Sequence, residues 1–245
     1  MEKIDIIKSI SERTGGDIYL GVVGAVRTGK STFIKKFIEN LVVPNIEDEY
    51  ERKRCLDEIP QTAQGKTIMT IEPKFVPSTA AKIKVEEFET NIKLVDCVGY
   101  VIPAAKGYED EMGEPRMVKT PWYDEDIPFV EAAEIGTEKV IRDHSTIGIV
   151  VTTDGSIGDI TRNNYIEAEN EVISELKEIG KPFIVLLNSA HPTLPETERL
   201  AEKLKEEHNV PVIPISAETM NEKDVYNILK EALYEFPVLN VKVDI

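Results

Sequence analysis

The apolar residues form short unbroken runs that alternate with stretches of helical period. In the second half of the chain, helices are predicted over residues 128–143, 165–179, 195–208 and 224–234, and strands over residues 146–152, 182–187 and 211–215. Strands that alternate with helices in this way are typical of a mainly parallel sheet that is covered by helices on both faces.

The first half adds three strands and one amphipathic helix. A buried strand is predicted over residues 18–23, and a helix over residues 30–41 places Phe33, Phe37 and Leu41 on one face. Residues 82–88 and 91–95 read as a hairpin whose turn is Glu89-Thr90. The expected fold is therefore α/β, with six strands in a mainly parallel sheet.

The length of 245 residues suits one α/β domain over residues 1–245. Residues 1–17 are predicted to be an N-terminal packing arm. The charged segment 41–81 is either a solvated loop or short helix, or a mobile switch. Residues 99–127 are rich in glycine, proline and acids and are too long for a simple connection, which indicates a functional insertion.

The net charge argues against nucleic acids and anionic membranes as binding partners. The formal net charge is −16 at pH 7, whereas nucleic-acid binding and polybasic membrane anchoring both require a basic face. The two cysteines cannot form a disulfide framework, and the three histidines have no metal-ligand spacing. The N-terminus lacks the pattern of a secretory signal, so a cytoplasmic protein without nucleic-acid partners is expected.

A phosphate-loop motif lies between the first strand and the helix that follows it. The segment Gly24-Ala-Val-Arg-Thr-Gly-Lys-Ser matches G-x-x-x-x-G-K-[ST]. Its backbone amides would cradle a phosphate at the helix N-terminus, Lys30 would bridge β- and γ-phosphate oxygens, and the Ser31 hydroxyl would bind Mg²⁺. The predicted nucleotide-binding residues of this loop are Gly24, Ala25, Val26, Arg27, Thr28, Gly29, Lys30, Ser31 and Thr32.

A second motif follows the predicted hairpin. The apolar run that begins at Ile92 ends in Asp96-Cys-Val-Gly99, a D-x-x-G pattern in which Asp96 would hold the magnesium ion through a water. The amide of Gly99 would sense the γ-phosphate. A threonine between the two motifs could place its hydroxyl on the metal, and Thr62, Thr67 and Thr70 compete for that role; Thr70 is favoured.

The base-recognition motif of guanine-specific relatives is incomplete. In place of N-K-x-D, the chain reads Asn188-Ser-Ala-His191, so only the asparagine remains. Loss of the aspartate acceptor should abolish guanine discrimination, which makes ATP the expected substrate with Asn188 still in the nucleotide site.

Two residues bear on how the attacking water is positioned and how the phosphate charge is stabilised. Tyr100 stands where a water-orienting glutamine often follows D-x-x-G, and its phenol is a poor substitute. Arg27 could reach the phosphates in place of a monovalent cation or an arginine finger, or it could be a solvent-exposed loop residue.

Together these elements resemble a translation-factor-related, Ras-like P-loop domain. The similarity becomes closer in the runs at residues 21–32, 65–70, 94–100 and 231–239, with extensions at 120–123 and 131–137. These runs resemble the stage IV sporulation protein A family, the spore-coat morphogenetic ATPases of endospore-forming bacteria, over essentially the whole chain.

The resemblance implies a function in assembly. It implies Mg²⁺-dependent ATP hydrolysis by Lys30, Thr70 and Asp96, with a conformational change that drives self-association into a basement layer at the forespore surface, in the mother-cell cytoplasm. It also implies that a C-terminal region absent from this sequence contacts a small amphipathic membrane peptide and coat proteins. The alternating residues Val241, Val243 and Ile245 likewise suggest a module of a longer protein. A GTPase switch and a nucleotide-binding scaffold without hydrolysis remain alternatives.

Overall fold

A computed structural model of the chain describes residues 3–60, 73–105, 107–109 and 112–236. The helices are α1 (Lys3–Thr14), α2 (Lys30–Phe37), α3 (Glu49–Glu58), α4 (Phe129–His144), α5 (Ile166–Ile179), α6 (Pro195–His208) and α7 (Glu222–Tyr234). The strands are β1 (Asp17–Val23), β2 (Lys74–Val85), β3 (Phe88–Asp96), β4 (Met117–Val118), β5 (Ile127–Pro128), β6 (Ile147–Thr153), β7 (Phe183–Asn188) and β8 (Val212–Ile215).

Six of the strands form one sheet in the order β2-β3-β1-β6-β7-β8. All neighbours are parallel except β2 and β3, which pair antiparallel. The predicted α/β fold with a mainly parallel six-stranded sheet is therefore confirmed. Because β1, β3, β6, β7 and β8 run in the same direction, their carboxyl ends meet at one edge, where ligands of such sheets bind.

The hairpin of β2 and β3 exists, but the predicted turn at Glu89-Thr90 was wrong. The strands turn at residues 86–87, where Glu86 has a φ of 55°. Thr90 instead lies within β3, and its hydroxyl contacts Ser11 Oγ at 3.1 Å and the carbonyl of Gly16 at 2.9 Å. The end of α1 thus holds Thr90 inside the sheet, a long-range contact that local sequence does not reveal.

Helices cover both faces of the sheet. On one face, α1, α2 and α7 pack against alternate residues of β1, β3, β6 and β7; on the other, α4 and α5 pack against the intervening residues. The helix predicted over residues 30–41 is α-helical to Phe37 and continues as a π-helical turn over Ile38–Val42. Phe33, Phe37 and Leu41 are all fully buried, as the pattern predicted.

The first helix is part of the packed domain. Ile6, Ile7 and Ile10 of α1 are buried in the same core as α7, and each such isoleucine contributes roughly 1.5–3 kcal/mol of burial free energy. Two glycines, Gly15 and Gly16, follow the helix with φ of 81° and 109°, so the chain reverses there into β1.

The stretch between β3 and α4 contains little regular structure. Its described residues form only the two-residue strands β4 and β5, which pair with each other, and two isolated bridges. None of the helices in the described part of the chain has the length and apolar character needed to cross a bilayer.

Candidate functional site

The phosphate loop connects the carboxyl end of β1 to the first turn of α2. Gly24 and Gly29 have φ of 134° and 95°, which favours glycine. A Cβ at Gly24 would collide with the carbonyl oxygen of Val151, and one at Gly29 with the side-chain amide of Asn188. No side chain caps the N-terminus of α2, so its first amides can receive an anion.

The middle of the loop is held by its own polar groups. The hydroxyl of Thr28, which is fully buried, donates to the carbonyl of Ala25 at 3.0 Å. Arg27 has a φ of 63°, a left-handed conformation that is strained for a residue with a side chain. Its positive charge lies close enough to Tyr165 to oppose the burial that raises the pKa of that phenol.

Lys30 is buried inside the loop, at 5% exposure. Its ammonium donates to the carbonyl oxygens of Ala25 at 2.6 Å and Gly24 at 3.2 Å. Burial lowers the pKa of Lys30, while Cys97 and Asp96 act in the opposite direction. A dianionic phosphate at the loop would supply the charge that a buried ammonium requires.

Ser31 and Asp96 form an oxygen pair beside this ammonium. The Ser31 hydroxyl donates to Asp96 Oδ2 at 2.9 Å, whereas Asp96 Oδ1 is buried without a hydrogen-bond partner. Burial raises the pKa of Asp96, against the opposing effects of Lys30 and the Ser31 hydroxyl. A hydroxyl and a carboxylate with a vacant buried oxygen form the donor set that suits Mg²⁺.

This donor set differs from an all-protein metal cage. Among the described residues, no group of three or more histidine, cysteine, aspartate or glutamate side chains is arranged to hold a metal ion. Magnesium bound by one or two protein oxygens together with substrate phosphates needs no such group. Thr70, the third predicted ligand, and its rivals Thr62 and Thr67 lie outside the described residues.

The D-x-x-G segment lies directly against the phosphate loop. The amide of Tyr100 donates to the carbonyl of Gly24 at 3.2 Å, and its carbonyl accepts from the amide of Val26 at 2.9 Å. Gly99 has a φ of 88°, and a Cβ there would lie 2.5 Å from Lys30 Nζ. Gly99 is therefore placed against the ammonium that the γ-phosphate is expected to contact.

The phenol of Tyr100 does not face this site. It donates a hydrogen bond to Glu175 Oε2 on α5, and the residue is only 4% exposed. The direction of the phenol is consistent with the expectation that groups other than Tyr100 position the attacking water. Nothing in the sequence around Glu175 marked it as a partner of this segment, since the two residues are 75 positions apart.

Asn188 joins the phosphate loop to the loop after β8. Its side-chain amide donates to the carbonyl of Thr28 at 2.9 Å, and its Oδ1 accepts from the amide of Ala217 at 3.0 Å. Asn188 is buried, at 4% exposure. The loop after β8 is thus fixed relative to the phosphate loop.

Sequence reasoning missed a polar cluster in the loop after β6. Asp154 Oδ1 accepts from the amide of Ser156 at 2.9 Å and from its hydroxyl at 2.5 Å. The Ser156 hydroxyl in turn accepts from the amide of Ala190 at 2.8 Å and contacts Ser189 Oγ at 3.3 Å. The Asp-Gly-Ser sequence after a strand could have indicated this turn, though not its contact with the segment after β7.

The structure brings most of the predicted site residues to one place. Residues 24–32, Asp96, Gly99 and Asn188 lie at the carboxyl edge of the sheet, and Thr32 is a partly buried residue in the first turn of α2. The α/β fold has a mainly parallel six-stranded sheet flanked by helices, with a glycine-rich loop between β1 and α2, a buried lysine and an Asp–Ser oxygen pair. This combination is consistent with the class of P-loop nucleoside triphosphatases.

Comparison with known proteins specifies the family. Residues 1–237 match the sequence model of "Stage IV sporulation protein A, ATPase domain". The chain is 65% identical over 246 aligned residues to the stage IV sporulation protein A of Bacillus anthracis and to that of Bacillus subtilis (strain 168), covering all of this chain and 50% of each relative. It is 51% identical over 242 residues to that of Clostridioides difficile (strain 630), covering 98% of this chain and 49% of the relative.

The chain therefore belongs to the stage IV sporulation protein A family, in the part that forms its ATPase domain. This confirms the family suggested by the sequence motifs. The chain spans about half the length of the curated relatives that it matches.

Proposed function

We propose that this chain hydrolyses ATP to ADP and phosphate in a Mg²⁺-dependent reaction that serves assembly during sporulation. The observation that carries the proposal is the arrangement around Lys30. Its buried ammonium lies inside the phosphate loop, next to the Ser31–Asp96 pair and Gly99. Each group is one that a triphosphate with its metal would use.

The roles of the individual groups follow from their positions. The loop amides and the N-terminus of α2 would bind the β-phosphate, and Lys30 would bridge the β- and γ-phosphates. Ser31 and Asp96 would hold Mg²⁺, which neutralises charge on the phosphates when bound. Gly99 would donate its amide to the γ-phosphate, and Thr70 would complete the metal site.

Adenine is the proposed base because the acceptor for guanine is missing. His191 occupies the position of the aspartate in N-K-x-D, and Ser189 that of the lysine. Both polar ends of Asn188 are already bonded to the protein. In this proposal, Asn188 acts on the nucleotide by shaping the site around it.

The cellular role rests on family membership. We infer that hydrolysis changes the conformation of the domain and drives self-association into the spore-coat basement layer, at the forespore surface in the mother cell. Contacts with a small amphipathic membrane peptide and with coat proteins are assigned to the half of the relatives that this chain does not match.

Phosphate release tests the enzymatic proposal directly. The purified chain should release phosphate from ATP in the presence of Mg²⁺, faster than from GTP, and EDTA should abolish the release. Lys30→Ala should reduce it to background, because the substitution removes the ammonium that is buried inside the loop. Lys35→Ala is the matched control, since Lys35 lies on the same helix with a 4.0 Å surface pair to Glu39. Equal release by the wild type and Lys30→Ala would favour a scaffold without hydrolysis.

A second substitution tests the metal assignment. Asp96→Ala should weaken Mg²⁺-dependent hydrolysis more than nucleotide binding, because the phosphate loop keeps its amides and Lys30. Asp143→Ala, at an exposed position near the end of α4, serves as the control. Unchanged hydrolysis in Asp96→Ala would assign the metal to another residue. Sedimentation before and after turnover would then report whether hydrolysis promotes assembly of this chain.

A further inference from the structure

Tyr100 joins three parts of the structure. Its backbone exchanges hydrogen bonds with Gly24 and Val26 of the phosphate loop. Its phenol crosses the apolar cluster on the α5 face and donates to Glu175. One residue thus connects the D-x-x-G segment to the loop through its main chain and to a helix through its side chain.

The phenol–carboxylate bond is well defined by its surroundings. Burial raises the pKa of both Tyr100 and Glu175, and the carboxylates of Glu171 and Glu134 raise that of Tyr100 further. The phenol therefore remains a protonated donor near neutral pH. A half-buried carboxylate without this donor would lose its partner in a region of negative charge, which is costly.

The segment that Tyr100 anchors contains little other regular structure. Among the described residues between β3 and α4, the strands β4 and β5 are only two residues long each. Gly99, immediately before Tyr100, fits against Lys30 with no room for a side chain. A small shift of Tyr100 would therefore also move its neighbour Gly99, whose amide is expected to contact the γ-phosphate.

We propose that Tyr100 and Glu175 form a tether that positions Gly99 at the phosphate loop for ATP hydrolysis. Tyr100 is then a positioning residue that acts through Gly99. This inference rests on the proposed ATPase function and deepens it. It proposes that a residue outside the phosphate-binding motifs positions Gly99, whose amide is expected to contact the γ-phosphate.

Kinetics of matched variants test the tether. Tyr100→Phe and Glu175→Ala should each lower kcat for ATP about tenfold, while KM and ADP affinity stay within about twofold. The double variant should be no slower than the slower single variant, because both substitutions remove the same bond. Glu175→Gln, which keeps an acceptor oxygen, should recover most of the lost rate.

Two controls match these changes. Tyr226→Phe alters a buried tyrosine on the opposite face of the sheet, and Glu171→Ala alters an exposed glutamate one turn before Glu175. Both should keep the wild-type kcat. A kcat within twofold of wild type in both Tyr100→Phe and Glu175→Ala would overturn the proposal.

Amide hydrogen exchange tests the tether without requiring hydrolysis. The amides of Val26 and Tyr100 should exchange faster in Tyr100→Phe and Glu175→Ala than in the two controls, since both amides are bonded across this junction. Unchanged exchange would overturn the tether. If the wild type released no more phosphate than Lys30→Ala, the ATPase proposal would fail, and the exchange data would still decide whether the tether exists.

Discussion

Replacing Asn188 with alanine tests how the nucleotide site is held together. The substitution removes a donor to the carbonyl of Thr28 and an acceptor for the amide of Ala217, both of which are buried. Each buried backbone group left without a partner costs about 1–3 kcal/mol. The free energy of unfolding should therefore fall by about 2–6 kcal/mol, which lowers Tm by roughly 5–20 °C in a domain of this size.

The assay is thermal and urea unfolding followed by circular dichroism, with Asn164→Ala as the control. Asn164 is an asparagine whose side chain bonds only locally, to Thr161; its removal should change the free energy of unfolding by no more than about 0.5 kcal/mol. ADP affinity should fall along with stability in Asn188→Ala, because the loops on either side lose their common anchor.

A second variant at this position separates the two hydrogen bonds. Asn188→Asp keeps an acceptor for Ala217 but places a carboxylate oxygen against the carbonyl of Thr28. Protonation of the new carboxyl would restore a donor, so its pKa in the folded state should rise above the ordinary value near 3.9. The stability deficit relative to wild type should therefore be full above the folded pKa and shrink as pH falls through it.

Two results would refute this reasoning. One is an Asn188→Ala protein whose unfolding free energy lies within 0.5 kcal/mol of the wild type, which would show that the two bonds do not contribute to stability. The other is a raised KM for ATP at unchanged stability, which would make Asn188 a direct nucleotide ligand.

Substitutions at three further positions test separate features of the structure. Gly99→Ala should lower ATP turnover at least tenfold in a phosphate-release assay, because the residue has a φ of 88° and its Cβ would collide with the carbonyl oxygen of Gly24 and lie 2.5 Å from Lys30 Nζ. Wild-type turnover would contradict this. Arg162→Ala should destabilise the protein by about 3–5 kcal/mol in urea unfolding. The substitution leaves the buried carboxylate of Glu169 without the guanidinium that donates to both of its oxygens, at 2.5 Å and 2.7 Å. Arg27→Gly should relieve a left-handed φ of 63° and leave stability equal or up to about 1 kcal/mol higher. Arg27→Gly and Arg27→Ala should both lose turnover if the guanidinium serves the phosphates, and unchanged turnover in both would remove Arg27 from the mechanism.

The order of elements could be predicted because it is encoded locally. The helix predicted over residues 195–208 has those bounds in α6, and the strand predicted over 182–187 appears one residue later as β7. Proline at the start of α6 and apolar runs in the strands act through neighbouring residues, so one sequence suffices to read them. The turn of the first hairpin was misplaced because Thr90 is held in β3 by Ser11 and Gly16, from a distant helix end.

The phosphate loop could also be identified from sequence, since its chemistry lies in eight consecutive residues whose backbone conformation and amides form the site. The residues that contact this loop from distant parts of the chain could not be identified from the sequence. Tyr100 is bonded to Glu175 and Asn188 to Ala217 across 75 and 29 positions, and no local pattern distinguishes these side chains from solvated ones.

The sequence alone thus determined the class of fold, the position of the phosphate-loop motif and the family. Only the tertiary structure decided which way Tyr100 faces and that Asn188 joins two loops. It also showed that Asp154 and Ser156 organise the segment after β7. The physical reason is that periodicity and loop motifs depend on residues adjacent in the chain, whereas a buried polar side chain takes its partner from whatever the packed helices and strands bring within hydrogen-bonding distance.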